Sequence, residues 1–245
     1  MSRGLGDVYK RQILSAELDR QPLDCFGGPD AAHESFTPVQ KAISFAMTSF
    51  LTTGGIRGGK VQMEKFVPRS FNMGYSRKVY DTVGGFREMF SEDIDMSTRI
   101  RQAGFSIGLI HPAHVFHKRR VDFARFWRQV YVFGMSRITL KLLYPDSLKL
   151  VHTLPALAVI IGVLLVLLGI FVTPWFLLPI GIYLLAIFLS AWIATRSLGI
   201  ALRAVPASVV QICGYGCGFI KAFFTKIILR RGRNIEEEIK IRKGK

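Results

Sequence analysis

A helical membrane region preceded by a domain of modest size is the architecture this sequence predicts, and three observations predict it. No Lys, Arg, Asp or Glu occurs between residues 151 and 195, a stretch that suits a bilayer better than a globular core. Hydrophobic residues make up 50% of the 245-residue chain and the mean hydropathy is +0.30, which excludes a disordered polymer and a purely soluble globule. Lys and Arg number 33 against 17 Asp and Glu, giving a formal charge of +16 and a pI near 10.2. That excess suits an anionic membrane surface or a phosphorylated ligand. The bases sit beside the apolar spans rather than along a soluble stripe with stacking aromatics, so membrane lipids are expected as partners and nucleic acid is not.

The chain opens on residues 1–12, polar and of mixed charge, with no apolar core of the length a secretory signal needs. They read as a non-native remnant, which implies a natural chain that continues upstream. Residues 13–121 form the expected domain. Within it, Gly54-Gly55-Ile56-Arg57-Gly58-Gly59 is a surface loop, or a cradle in which backbone N–H groups and Arg57 meet a phosphate; it lacks the G-x-G-x-x-G spacing and a G-K-S/T ending. Asn72, in Arg69-Ser70-Phe71-Asn72-Met73-Gly74, is a turn residue bonding its own backbone or a group that meets substrate. Residues 79–83 lead into a Gly84-Gly85-Phe86 turn, and residues 91–104 read as one helix. Ser91 suits the N-cap, Glu92 and Asp93 the positive end of the helix dipole, and Gly104 the stop. Asp95 and Arg99 at i, i+4 pair on one face, while Met96 and Ile100 bury the other. His111, His114 and His117 follow at three-residue intervals; Pro112 breaks any helix that would group them, and the alternation suggests a strand leading into a basic loop. Cys25, Cys213 and Cys217, without a C-x-x-C, indicate neither a disulfide framework nor a zinc knuckle, and a reducing compartment is the simplest expectation.

Residues 122–150 read as an interfacial amphipathic helix with a connector. Phe123, Phe126, Trp127, Val130, Tyr131 and Gly134 recur at helical spacing among Arg125, Arg128 and Gln129, so their apolar side faces the headgroup layer or a protein core. Residues 151–230 make the transmembrane region. Its segments 153–172 and 175–195 are each long enough to cross about 30 Å of hydrocarbon, and a short uncharged turn joins them as a hairpin. Arg137, Lys141 and Lys149 before the first span and Arg196 and Arg203 after the second put both flanks, and the preceding domain, in the cytoplasm. A third apolar segment, 204–229, carries Gly214, Gly216 and Gly218 together with Lys221 and Lys226. It spans, or it lies re-entrant or interfacial and keeps the tail inside; Gly214 and Gly218 have the G-x-x-x-G spacing of close helix packing. The basic tail, 231–245, is a solvated helix end or a clamp on anionic lipid, where each Lys or Arg near the surface contributes about 1 kcal/mol.

Gly84-Gly85-Phe86, followed by Glu92-Asp93 with Asp95, Arg99 and Gly104, resembles the G-G-F and E-D-x-D-x-x-x-R signature of family 2 glycosyltransferases, the resemblance covering residues 25–144. It implies an α/β fold, the C-terminal part of the Rossmann-like nucleotide-sugar transferase domain called GT-A. It implies Asp93 as the catalytic base, taking the proton of an acceptor hydroxyl as the anomeric carbon is attacked, and Glu92 as the group that supports or orients the acceptor. Asn72, Asp95, Arg99, His117 and Arg57 are then substrate-binding. His117 also meets a divalent cation, Mg or Mn, or the pyrophosphate that the cation neutralises. The family's D-x-D, which holds metal and nucleotide, does not occur before Ser91, so the donor-binding half is expected to be missing and the fragment inactive by itself. The Q-x-x-R-W of processive polysaccharide synthases is absent too; Trp127-Arg128-Gln129 stands on the corresponding helix. The implied activity is inverting transfer of a sugar from a nucleotide-diphospho-sugar donor to a hydroxyl acceptor. The implied setting is cell-envelope or lipid-linked glycan synthesis at a bacterial-type inner membrane. The alternative is a non-catalytic membrane protein with a degenerate transferase domain and a basic lipid- or partner-binding surface.

Overall fold

Strands need runs of alternating or β-branched residues, and this chain offers few before its membrane region. The computed structural model describes residues 3–31, 35–53, 66–116 and 120–231, and 72% of these are helical. Two compact units divide them, one drawn from residues 3–31 and 66–116, the other from residues 35–53 and 120–231.

The first unit corrects the α/β expectation. Its main sheet has three strands in the order β3-β1-β4, with β1 (Cys25–Gly27) antiparallel to β3 (Met73–Tyr75) and parallel to β4 (Ile107–Leu109). A second, two-stranded sheet pairs β2 (Asp30–Ala31) with β5 (Val115–Phe116) in parallel. Each strand of the main sheet contains a glycine, and none exceeds three residues. Glycine gives a strand no side chain to pack and weakens its persistence. Gly74 lies under the Phe26 ring and Gly108 under Leu23, so neighbouring side chains fill the space that a Cβ would take. Strands this short do not make the parallel sheet of a Rossmann-like domain, and the GT-A fold is set aside on that ground.

What the first unit has instead is a small core between sheet and helices. Helix α1 (Arg3–Arg20) precedes β1, and α4 (Arg77–Val83) and α5 (Glu92–Gln102) lie between β3 and β4 in the chain. Cys25, Val79, Met96 and Ile100 are fully buried together, ringed by Met73, Tyr75, Val83, Phe86, Phe105 and Ile107. Burial pushes the Cys25 thiol up to about 12, so it stays protonated and serves as packing. Asp24 Oδ2 accepts bonds from the Ser106 backbone N–H (2.9 Å) and Oγ (2.8 Å), which ties the starts of β1 and β4 and holds the carboxyl below its ordinary range.

The second unit is helical throughout: α2 (Pro38–Thr48), α3 (Phe50–Thr53), α6 (Phe123–Leu143), α7 (Leu154–Phe171), α8 (Leu178–Thr195) and α9 (Leu198–Ala222), the last continued by a π turn over Phe223–Ile228. Three segments are long and apolar enough to cross a membrane: Leu154–Phe171, Pro174–Thr195 and Leu198–Ile228, with mean hydropathies of 2.9, 2.3 and 1.4. The first two agree with the spans expected from sequence. The third begins at Leu198, six residues before the expected start at residue 204.

Helix α9 is the hub on which the others pack. Although α7 and α8 are joined by the 3-10 turn Pro174–Leu177, they hardly touch each other beyond it, and each leans on α9 instead. Gly214 and Gly218 face α6: a Cβ on Gly218 would lie 2.0 Å from the Tyr131 carbonyl oxygen, and one on Gly214 would lie 2.5 Å from Val130. Gly134 of α6 returns the contact, 2.0 Å from the Tyr215 carbonyl by the same measure. Gly216, on the opposite side of α9, faces the Pro155 carbonyl and Val159 of α7. The G-x-x-x-G pair is thus satisfied within the chain. Phe126 and Val130 are fully buried against Ala42, Ile43, Ala46, Met47, Ala201, Ala204 and Ala207, so the apolar side of α6 faces protein.

Two outcomes follow. Gly218→Ala forces α6 and α9 apart and costs about 1–3 kcal/mol, whereas Gly181→Ala, where the added methyl meets nothing within 4 Å, leaves stability unchanged or slightly raised; thermal unfolding in detergent distinguishes them. His152, just before α7, is buried beside Arg137 and Lys149, and burial first and these cations second hold its imidazole down at about 4. The unfolded chain then binds the extra proton between the ordinary 6.5 and about 4, so stability falls as pH drops through that window. His152→Asn keeps an acceptor for the Lys149 N–H and flattens this limb of the stability profile.

Candidate functional site

The acidic start of α5 is where the sequence concentrates its chemistry. Ser91 stands at the N-cap, as expected, but in the left-handed region (φ 64°, ψ 36°) and without a side-chain cap bond. Its carbonyl accepts the N–H groups of Ile94 (3.0 Å) and Asp95 (3.1 Å), which starts the helix. A serine held there is strained, and such strain concentrates where a site must be presented in one geometry. Gly104, at φ 81°, ends the helix as expected.

The three carboxylates of the first turn have three environments. Asp95 is fully buried, its Oδ1 taking Arg87 Nη1 at 3.3 Å and its Oδ2 taking Arg99 Nε at 3.0 Å. Arg99 continues past this pair and donates to the carbonyls of Val83 and of Gly85 (2.9 Å). The Gly84-Gly85-Phe86 turn is therefore clamped to α5 by one guanidinium, and Gly84, at φ 74°, closes α4 by donating to Tyr80. Asp93 is different: Oδ2 takes Arg69 Nη1 at 3.0 Å, Oδ1 accepts its neighbour's N–H at Ile94 (2.9 Å), and the side chain keeps 14% exposure beside an arginine that is 31% exposed. Glu92 is half-buried on the same turn.

Asn72 is buried, and its Nδ2 donates to the Ala113 carbonyl at 3.0 Å. Gly28 is bare at this junction because a Cβ would lie 1.8 Å from that carbonyl oxygen. Asn72 thus joins the start of β3 to the loop before β5. Arg57 and His117 lie outside the described residues, as do the glycine-rich loop 54–59 and all but the first residue of the basic tail. Of the other histidines, His111 is exposed and His114 packs edge-on to Phe116 with ring centroids 5.4 Å apart. Among the described residues no three His, Cys, Asp or Glu side chains gather as metal ligands.

No family model, curated protein or solved structure matches the chain. What the site can do rests on its own geometry. The structure brings Glu92, Asp93, Asp95 and Arg99 onto two turns of one helix, with Asn72 on a separate element bonded elsewhere. Sequence reasoning missed Arg69 and Arg87. Arg87 directly follows the G-G-F turn and is eight residues from Asp95, a signal that could have been used; Arg69 meets its partner across 24 residues, a distance no local spacing rule covers.

Removing the clamp tests which of these residues build the site. Arg99→Met removes one of the arginines paired with Asp95 and takes this donor from the Val83 and Gly85 carbonyls, and unfolding should become easier by about 3–5 kcal/mol. Ser91→Val, a β-branched residue at positive φ, should cost about 1–2 kcal/mol; denaturant unfolding of each variant reads both values.

Proposed function

We propose that this chain belongs to a membrane-bound inverting glycosyltransferase, related to family 2. It moves a sugar from a nucleotide-diphospho-sugar to a hydroxyl acceptor in cell-envelope or lipid-linked glycan synthesis. The observation that carries this reading is the division of labour among three adjacent carboxylates: Asp95 is locked away by Arg87 and Arg99, while Asp93 stays reachable and is held in one orientation by Arg69. In the step proposed, the acceptor O–H gives its proton to Asp93, the freed oxygen attacks the anomeric carbon, and the nucleoside diphosphate leaves with the bonding electrons. Glu92, beside it, orients the acceptor hydroxyl. Asn72, Asp95 and Arg99 act behind the reacting atoms by fixing the turn and the loop.

The membrane arrangement proposed with it has α7 and α8 spanning and both flanks cytoplasmic. Support comes from the charges on those flanks and from α9. Helix α9 meets the first turns of α7 at Pro155 and Val159 through Gly216, and shares a core cluster with Ala191, near the end of α8, through Ala201 and Ala204. Both contacts lie at the ends remote from the Pro174–Leu177 turn. A third span would have carried residue 216 to the turn's side, so α9 lies along the membrane face. Cysteines placed at Asp146 and at Arg230 should then react with an impermeant maleimide from the same side of oriented vesicles; reaction from opposite sides would make α9 a third span.

The ion pair to Arg69 also favours a second reading, a non-catalytic protein in which Asp93 is a structural partner and the basic surface binds lipid. One substitution separates the two. Asp93→Asn, in membranes carrying the full gene product, should lower transfer from a labelled nucleotide-sugar by about 10²–10⁴-fold with donor binding and thermal stability retained. Undiminished transfer with a lowered melting temperature would support the structural reading instead.

A further inference from the structure

We infer that α2 and α3 form a re-entrant element that dips from the face where α7 begins to the middle of the bilayer, with Phe50 and Leu51 at its tip against acyl chains. The inference rests on the proposal that α7 and α8 span. Its anchor is a long-range bond: Tyr183 Oη, on α8, donates to the Leu51 carbonyl at 2.6 Å. Tyr183 lies 12 residues before the end of α8 at Thr195, so at 1.5 Å per residue it sits about 18 Å from that end and about 8 Å from the start at Leu178, near the middle of a hydrocarbon core about 30 Å thick. The backbone at Leu51 therefore lies at that depth too.

The rest of the segment is built to reach it. Thr37 caps α2 through a reciprocal bond with Gln40, and Pro38 sits in the first turn, so the helix starts sharply at its shallow end. Eleven residues of α2 rise about 17 Å, half a bilayer. Ala42, Ile43, Ala46 and Met47 bury one side against Ala191 of α8 and Ala201, Ala204 and Ala207 of α9. From Thr37 to Thr53 the single charge is Lys41, in the first turn of α2, where a flexible amine reaches the headgroups. Toward the tip the polar side chains close on their own backbone: Thr48 Oγ1 donates to the Ser44 carbonyl (2.9 Å), Thr52 Oγ1 to Ala46 and Ser49, and Thr53 Oγ1 to Ser49 (2.9 Å). A segment in hydrocarbon must satisfy its polar groups internally, and the three threonine hydroxyls do so. At the tip, Phe50 is 75% exposed, a cost in water and a gain among acyl chains.

Depth measurement tests this directly. In a chain with Cys25, Cys213 and Cys217 replaced by Ala, nitroxides are placed singly at Phe50→Cys, at Ile182→Cys on the lipid-exposed side of α8, and at Asp146→Cys in the connector, in phosphatidylethanolamine–phosphatidylglycerol vesicles. The ratio of collisions with oxygen to collisions with a water-soluble nickel chelate should be as high at position 50 as at 182, and low at 146. A low ratio at 50 with a high one at 182 overturns the re-entrant element and leaves the spans standing; low ratios at both overturn the spans as well. Phe50→Asp gives a second readout: a carboxylate at midplane depth should lower the melting temperature in the same vesicles by roughly 5–10 °C, and an unchanged melting temperature overturns the inference.

Discussion

Three glycines two residues apart give α9 its place at the centre of the membrane unit. Successive helix positions turn by about 100°, so residues two apart point to nearly opposite sides. Gly214 and Gly218 therefore open one side to α6 while Gly216 opens the other to α7. With no side chain between them, the backbones meet directly and gain close van der Waals contact along each seam. Any side chain at these positions would hold the helices apart, and α6, α7 and α8 would lose the support they share. Lys226, about two turns beyond Gly218, donates to Thr139 of α6 and extends the same seam.

The first unit depends on a different device, one guanidinium with several acceptors. Arg99 closes a turn that opens on two glycines, and neutralises a carboxylate that burial would otherwise penalise. Its planar fork serves two backbone carbonyls and Asp95 at once, which a lysine ammonium on a flexible stem does less well. With Asp95 committed in this way, the next carboxylate along the helix is left at the edge of the packing, where Arg69 sets its direction.

How much of this could be read from residues alone depends on the range of the interaction. The first two candidate spans were legible because lipid solubility is a property of composition, and 18 apolar residues need no partner to declare themselves. The α5 helix was legible because its pairing of Asp95 with Arg99 and its glycine stop are local. The fold class was not. The G-G-F turn and the Asp95–Arg99 pair are present, but in this chain they build a clamp between a turn and a helix beside a three-stranded sheet, and short motifs carry no information about sheet width. The start of α9 was placed late because Arg203 interrupts the apolar run, although its stem extends along the helix and its guanidinium returns to the Gly199 carbonyl. Helices α2 and α3 went unrecognised as part of the helical unit because Thr48, Thr52 and Thr53 look hydrophilic until the bonds of their hydroxyls to backbone carbonyls are seen.

The weak contact between α7 and α8 has a mechanical consequence. Two struts pinned at the Pro174–Leu177 turn and resting separately on α9 have their mutual angle fixed by that third helix, so a substitution that loosens one seat on α9 frees one strut while the other stays in place.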